Sequence, residues 1–171
     1  LLQAFAETQY HLTNKLTADV GLHFSELLTN STYAMEPRAS LKYEINNAQS
    51  ISFGYGLHSQ LQPTGVYFAQ FNDGNSWIHP NKNLGFSKSQ HFVLGYDRSL
   101  TEYIHAKVEA YFQSLYNIPV RSDISNSFSM LNVDDGYITD PLTNKGTGRN
   151  VGMELTFEQF LHHNFYYLLS A

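Results

Sequence analysis

The sequence predicts an all-β chain, an antiparallel up-and-down meander of about eight long strands. Three observations lead there. Apolar and polar residues alternate with period two along most of the chain, short polar turns alternate with long connections, and aromatic residues make up 15% of the total, including twelve Tyr and twelve Phe. Successive side chains on a strand point to opposite faces, so each alternating run builds one apolar and one polar surface. No stretch keeps a helical period as well as these runs keep theirs.

The strands follow in order. Residues 2 to 12 set Leu2, Ala4, Ala6, Tyr10 and Leu12 against Gln3, Glu7, Gln9 and His11, and residues 16 to 25 set Leu16, Ala18, Val20, Leu22 and Phe24 against Thr17, Asp19, Gly21, His23 and Ser25. In "RASLKYEINNAQSISFGYGL" (38 to 57), Ala39, Leu41, Tyr43 and Ile45 and then Ile51, Phe53, Tyr55 and Leu57 make a two-stranded hairpin around "NNAQ". The fifth strand carries Phe92, Leu94 and Tyr96, the sixth Ile104, Ala106, Val108, Ala110 and Phe112, and the seventh Val151, Met153, Leu155 and Phe157. "FYYLLSA" is the eighth.

Tight polar turns are expected at 13 to 15, 46 to 49, 99 to 102 and 162 to 164, and long connections at 27 to 37, 60 to 88 and 116 to 149. In a meander, alternate connections lie at the same end, so all tight turns fall at one end of the sheet and all long loops at the other. That asymmetry is the habit of outer-membrane barrels.

Composition excludes several classes. The ten Lys and Arg are scattered and the formal net charge is −5, so no nucleic-acid footprint is expected. Cysteine is absent, which removes disulfides and thiolate metal sites. No apolar run approaches the roughly 20 residues of a membrane-spanning helix. The chain begins "LLQAFAETQYHLT" and ends "FYYLLSA" within an apolar pattern, as expected of a segment of something larger.

The apolar faces suit either lipid or a protein core. Leu16 to Phe24 covers about 27 Å along the strand, or about 21 Å in height at a tilt of about 40°. That approaches the roughly 25 Å apolar band of a membrane barrel. Lys42, Glu44, Lys107, Glu109 and Glu154 lie mid-strand on the other face, as a hydrated or plugged lumen would accommodate. Charged residues total 15%, against about 25% in a typical soluble domain. These features favour lipid; the alternative is a soluble antiparallel barrel or sandwich with the same faces turned inward.

"EPRASLKYEINNAQSISFGYGLHSQLQP" (36 to 63), "AYFQSLYNIPV" (110 to 120) and "GTGRNVGMELTFEQFLHHNFYYLLSA" (146 to 171) resemble the C-terminal part of the barrel in TonB-dependent outer-membrane receptors. The resemblance runs through nearly all of residues 1 to 171, as a single barrel segment. It implies a 22-stranded barrel in the bacterial outer membrane, of which eight strands are here, closed by an N-terminal plug; neither that plug nor its transducer-gripping motif is expected among these residues. It also implies energy-coupled import driven by a TonB-type transducer acting through that plug.

No enzyme chemistry is expected. His11, His23, His58 and His105 fall on the polar faces, and His162 and His163 in a turn, without ligand spacing, so no metal or other cofactor is assigned. "NVDDGY" (132 to 137), with Asp134 and Asp135, lacks the acidic spacing of a calcium loop, and "NKGTGRN" (144 to 150) reads as a flexible approach to the seventh strand, without the Gly-Lys-Ser/Thr ending of a phosphate cradle.

The candidate binding residues lie in loop 60 to 88: Tyr67, Phe68, Phe71, Asn72, Asp73, Trp77 and His79. Aromatics among amides suit stacking on, and hydrogen bonding to, a small molecule, glycan or peptide. The same residues would also serve to pack the loop or anchor it at a membrane interface.

The expected function is therefore nutrient capture and import by an outer-membrane receptor. The rivals are a non-transporting outer-membrane barrel and a soluble β-barrel binding module. In isolation such a sheet, with two raw edges and an apolar face, is expected to self-associate.

Overall fold

Alternation becomes a sheet because each strand places its apolar residues opposite those of its neighbour. The computed structural model describes residues 1–123, 128–132 and 138–171. Its strands are β1 (Leu2–His11), β2 (Leu16–Leu27), β3 (Thr32–Asn46), β4 (Gln49–Gln60), β5 (Phe71–Asn72), β6 (Trp77–Ile78), β7 (Ser87–Ser99), β8 (Ile104–Arg121), β9 (Leu142–His162) and β10 (Phe165–Ser170), with a short α-helix, α1 (Thr64–Phe68), and a 3-10 turn at Met130–Asn132. Eight of them pair in the order β1-β2-β3-β4-β7-β8-β9-β10, every pair antiparallel, and β5 and β6 form a separate hairpin. The fold class read from the sequence, an all-β antiparallel meander of eight strands, is the one observed.

The register stacks apolar residues into rows across the sheet. One row runs Tyr10, Ala18, Leu41, Phe53, Leu94, Ala110, Met153, and the next Leu16, Tyr43, Ile51, Tyr96, Val108, Leu155. Phe53 is 47% exposed, Leu94 52% and Met153 61%, so nothing in the described chain covers this face. An apolar surface of this extent marks a membrane or partner contact.

The other face is polar and cross-linked: His23 bonds Glu36, Ser40 bonds Asp19, His105 bonds Asp97 and Lys107 bonds Glu109. Phe5 is the exception, 82% exposed on the polar side opposite His23. The strands on this face approach each other through glycine: a Cβ at Gly152 would overlap the Tyr111 hydroxyl.

The tight turns fall as expected, at one end of the sheet. At the other end the loops are shorter than the sequence suggested. The expected connection 27 to 37 is a turn at 28 to 31, because Tyr33, Met35 and Pro37 continue the apolar row opposite Glu26, Phe24 and Leu22. Pro37 lacks an N–H donor, yet β3 runs through it. "NKGTGRN" is not a loose approach but part of β9, and the expected loop 116 to 149 shrinks to 122 to 141. The glycines at 146 and 148 that suggested flexibility leave room for Val120, Ile118, Leu115 and Leu131. Asp134 and Asp135 lie outside the described residues.

Candidate functional site

Loop 61 to 86 folds over the end of the sheet into a small core. Val66 and Tyr67 of α1 are buried with Leu84 and Leu142, and Leu27, Leu61, Phe128, Met130 and Ile138 pack around them. Tyr67 is 4% exposed and its hydroxyl accepts the Gln62 N–H; burial pushes its acidity constant above the usual phenol value. Of the seven candidate residues, Tyr67 is thus the one inside: it supports the loop from below.

The remaining candidates are brought together by a hairpin. Phe71 pairs with Ile78 and Asn72 with Trp77, and the tip closes through Asp73, whose carboxylate accepts the N–H groups of Asn75 and Ser76 at 2.8 Å each. These bonds favour the ionised form and hold the Asp73 carboxyl below its usual range. His79 is 3.2 Å through Nδ1 from the Phe68 carbonyl, which fastens the hairpin to α1. Trp77 is 66% and Phe68 55% exposed, so the two rings stand at the surface on a braced support.

Asparagines fix this loop to the sheet. The Asn81 side chain, fully buried, donates to the Asp140 carbonyl and accepts the Leu142 N–H, both at 2.9 Å. Asn30 donates to the carbonyls of Lys82 and Leu84, and Asn144 accepts the Gly85 N–H. The bracing role of these amides was not read from the sequence, where Asn81 counted only among the loop amides suited to a ligand. An asparagine beside a strand end reads as ordinary turn composition, and the pairing over some 60 residues has no local signature.

Beneath the loop, on the polar face, lies a hollow of about 520 Å³. His58, Gln60, Ser87, Ser89 and Gln113 line it beside Leu115, Ile118 and Met130. Ser89 is buried and its hydroxyl has no hydrogen-bond partner among the described residues. Gln113 accepts from the Asn150 amide and keeps its own N–H groups to donate. A second hollow of about 310 Å³ lies further along the same face, where Gly21, Gly54 and Gly56 remove side chains between Asp19, Arg38 and His91. Hydrogen-bonding groups above an apolar floor suit a small polar ligand. Among the described residues no three His, Asp or Glu side chains are grouped as metal ligands would be.

No protein-family model matches the chain, and no curated protein matches it. Among solved structures, the siderophore receptor PirA from Pseudomonas aeruginosa matches over 99% of this chain with a TM-score of 0.68 at 14% identity. The chain shares the fold of the corresponding part of that structure. It spans 34% of that receptor's length. Laid on such a barrel, the meander is a stretch of wall, the apolar rows are one surface of that wall and the polar face with its two hollows is the other.

Proposed function

We propose that the chain is part of the wall of an outer-membrane receptor of the TonB-dependent kind, a barrel of 22 strands that binds a nutrient at its outer loops and imports it. The observation that carries this reading is the uncovered apolar face running through all eight strands, backed by a hydrogen-bonded polar face, in a sheet with the receptor-barrel fold. A membrane barrel needs that combination: every internal ladder is satisfied, lipid meets the apolar rows, and water or a plug meets the charges.

In this reading Phe68, Phe71, Asn72, Asp73, Trp77 and His79 form the first capture surface. Tyr67 and Asn81 hold it in place, and the 520 Å³ hollow beneath receives the ligand as it leaves the loops. Import is driven by a TonB-type transducer through a plug domain, and the ligand is a small molecule, glycan or peptide. No catalytic step is required.

The test is fluorescence quenching by lipids brominated along their chains. Single Trp probes replace Val20 and Tyr43 on the apolar face and Lys42 on the polar face, in the full-length protein with Trp77 changed to Phe. Quenching at Val20 and Tyr43 but not at Lys42 is expected. All three probes dark to lipid, with Val20 and Tyr43 also shielded from aqueous quenchers, would return the sheet to a soluble fold.

A further inference from the structure

Two histidines of the polar face stand outside its hydrogen-bond network. His11 meets the Thr17 hydroxyl, His23 the Glu36 carboxylate and His105 the Asp97 carboxylate, while His79 in the cap meets the Phe68 carbonyl. His58 on β4 and His91 on β7 have no hydrogen-bond partner among the described residues. What they meet are rings: each other, with centroids 6.1 Å apart, and Tyr111, whose ring lies 5.9 Å from that of His91.

The register explains the meeting. Gly56 is the cross-strand partner of His91, and a Cβ at Gly56 would lie 2.7 Å from His58 Nε2. The His58 ring therefore folds back along β4 over the bare backbone of Gly56, into the position opposite His91. Two imidazoles on one ion, at metal–nitrogen distances of about 2.0 to 2.1 Å, set their ring centres about 5 to 6.5 Å apart. The spacing of His58 and His91 lies in that range, whereas His162 and His163, at 4.0 Å, are too close.

The surroundings favour a cation. Both rings border the hollow of about 310 Å³, together with Glu7, Asp19 and Arg38. The Arg38 stem leans over Gly21, toward β2 and away from β4. The wall thus presents two carboxylates against one guanidinium that is turned aside. His58 is exposed and His91 half-buried, so the space between them is open to solvent.

We infer that His58 and His91 together bind one divalent first-row transition ion through their imidazoles, with water or donor atoms of a bound molecule filling the remaining positions. Imidazole suits Zn²⁺, Ni²⁺ and Cu²⁺, and Cu²⁺ holds such a site most tightly. His58 also borders the 520 Å³ hollow, so the ion sits where the two hollows meet. The site stands on the register of β4 and β7 and does not depend on the sheet lining a barrel.

The experiment is a Cu²⁺ titration of the full-length protein, read by electron paramagnetic resonance for the nitrogens coupled to the ion and by chelator competition for affinity. Two coupled imidazole nitrogens are expected in the wild-type site. His58→Ala or His91→Ala should leave one and lower affinity about tenfold or more. Gly56→Ala keeps both imidazoles but drives the His58 ring from its place, and should weaken binding where a mere count of histidines would not. His105→Ala, whose ring is held by Asp97, should leave affinity unchanged. Wild-type affinity in the His58→Ala, His91→Ala double variant would overturn the site, and so would a loss confined to His162→Ala with His163→Ala. The lipid-quenching test at Val20 and Tyr43 is unaffected by either result, so the metal site and the barrel reading fail separately.

Discussion

Asn81 Oδ1 accepts the backbone N–H of Leu142 at 2.9 Å, which joins loop 61 to 86 to the first residue of β9 across the buried core of the cap. Truncation at Asn81 would strand that N–H and the Asp140 carbonyl in a water-free site. Asn81→Ala is expected to cost about 1 to 3 kcal/mol. Hydrogen exchange of residues 61 to 86 should accelerate accordingly while β2 and β3 keep their protection. Unchanged exchange in the loop would mean that the apolar core alone holds it.

Gly152 carries the Tyr111 ring across β8 and β9. A side chain there meets the ring rather than a flexible tip, so Gly152→Val should destabilise by about 1 to 3 kcal/mol in a denaturant titration. Tyr111→Ser in the same molecule should recover most of the loss, and a double-mutant cycle reads the coupling directly.

Ser89 holds a buried hydroxyl, without a partner among the described residues, beside the hollow under the cap. Ser89→Ala removes that desolvated group without opening space and is expected to be neutral or to stabilise by up to about 1 kcal/mol in the ligand-free protein. A loss of more than that in an unfolding titration would show that the hydroxyl is engaged.

The hairpin tip depends on an ionised Asp73. Its folded-state acidity constant lies below the ordinary 3.8, so its contribution to the hairpin is present above that value and disappears as pH falls through the depressed folded value. Trp77 is the chain's single Trp, and its emission should report the change in acid. Asp73→Asn should abolish this acid transition, and an unaltered profile in that variant would assign it elsewhere.

Much of this architecture was legible in the sequence because a sheet with two unlike faces writes period two into the chain. Ile51, Phe53 and Tyr55 needed no structure to be placed on one surface. Strand ends were less legible where a local signal opposed the ladder: Gly146 and Gly148 suggested a flexible approach where β9 already runs, and cross-strand pairing carried the segment. The cap was the least legible part. Its hairpin has two residues per strand and its helix five, too short for any periodicity to develop. Trp77 and Phe68 stand at the surface, whereas Tyr67 sits among Val66, Leu84 and Leu142 because α1 turns that side chain toward the sheet, a distinction that composition alone does not carry.

The order of the eight strands in the sheet follows their order along the chain, interrupted only by the small hairpin of the cap. Each strand therefore finds its partner next to it, across a turn as short as 47 to 48 or a loop no longer than 61 to 86. The entropy of closing a loop grows only slowly with its length, so the wall has no single expensive closure to wait for. It lends itself to growth one hairpin at a time, with the last-formed strand always serving as the template for the next. The two outer strands, β1 and β10, are the places where such growth would start or continue.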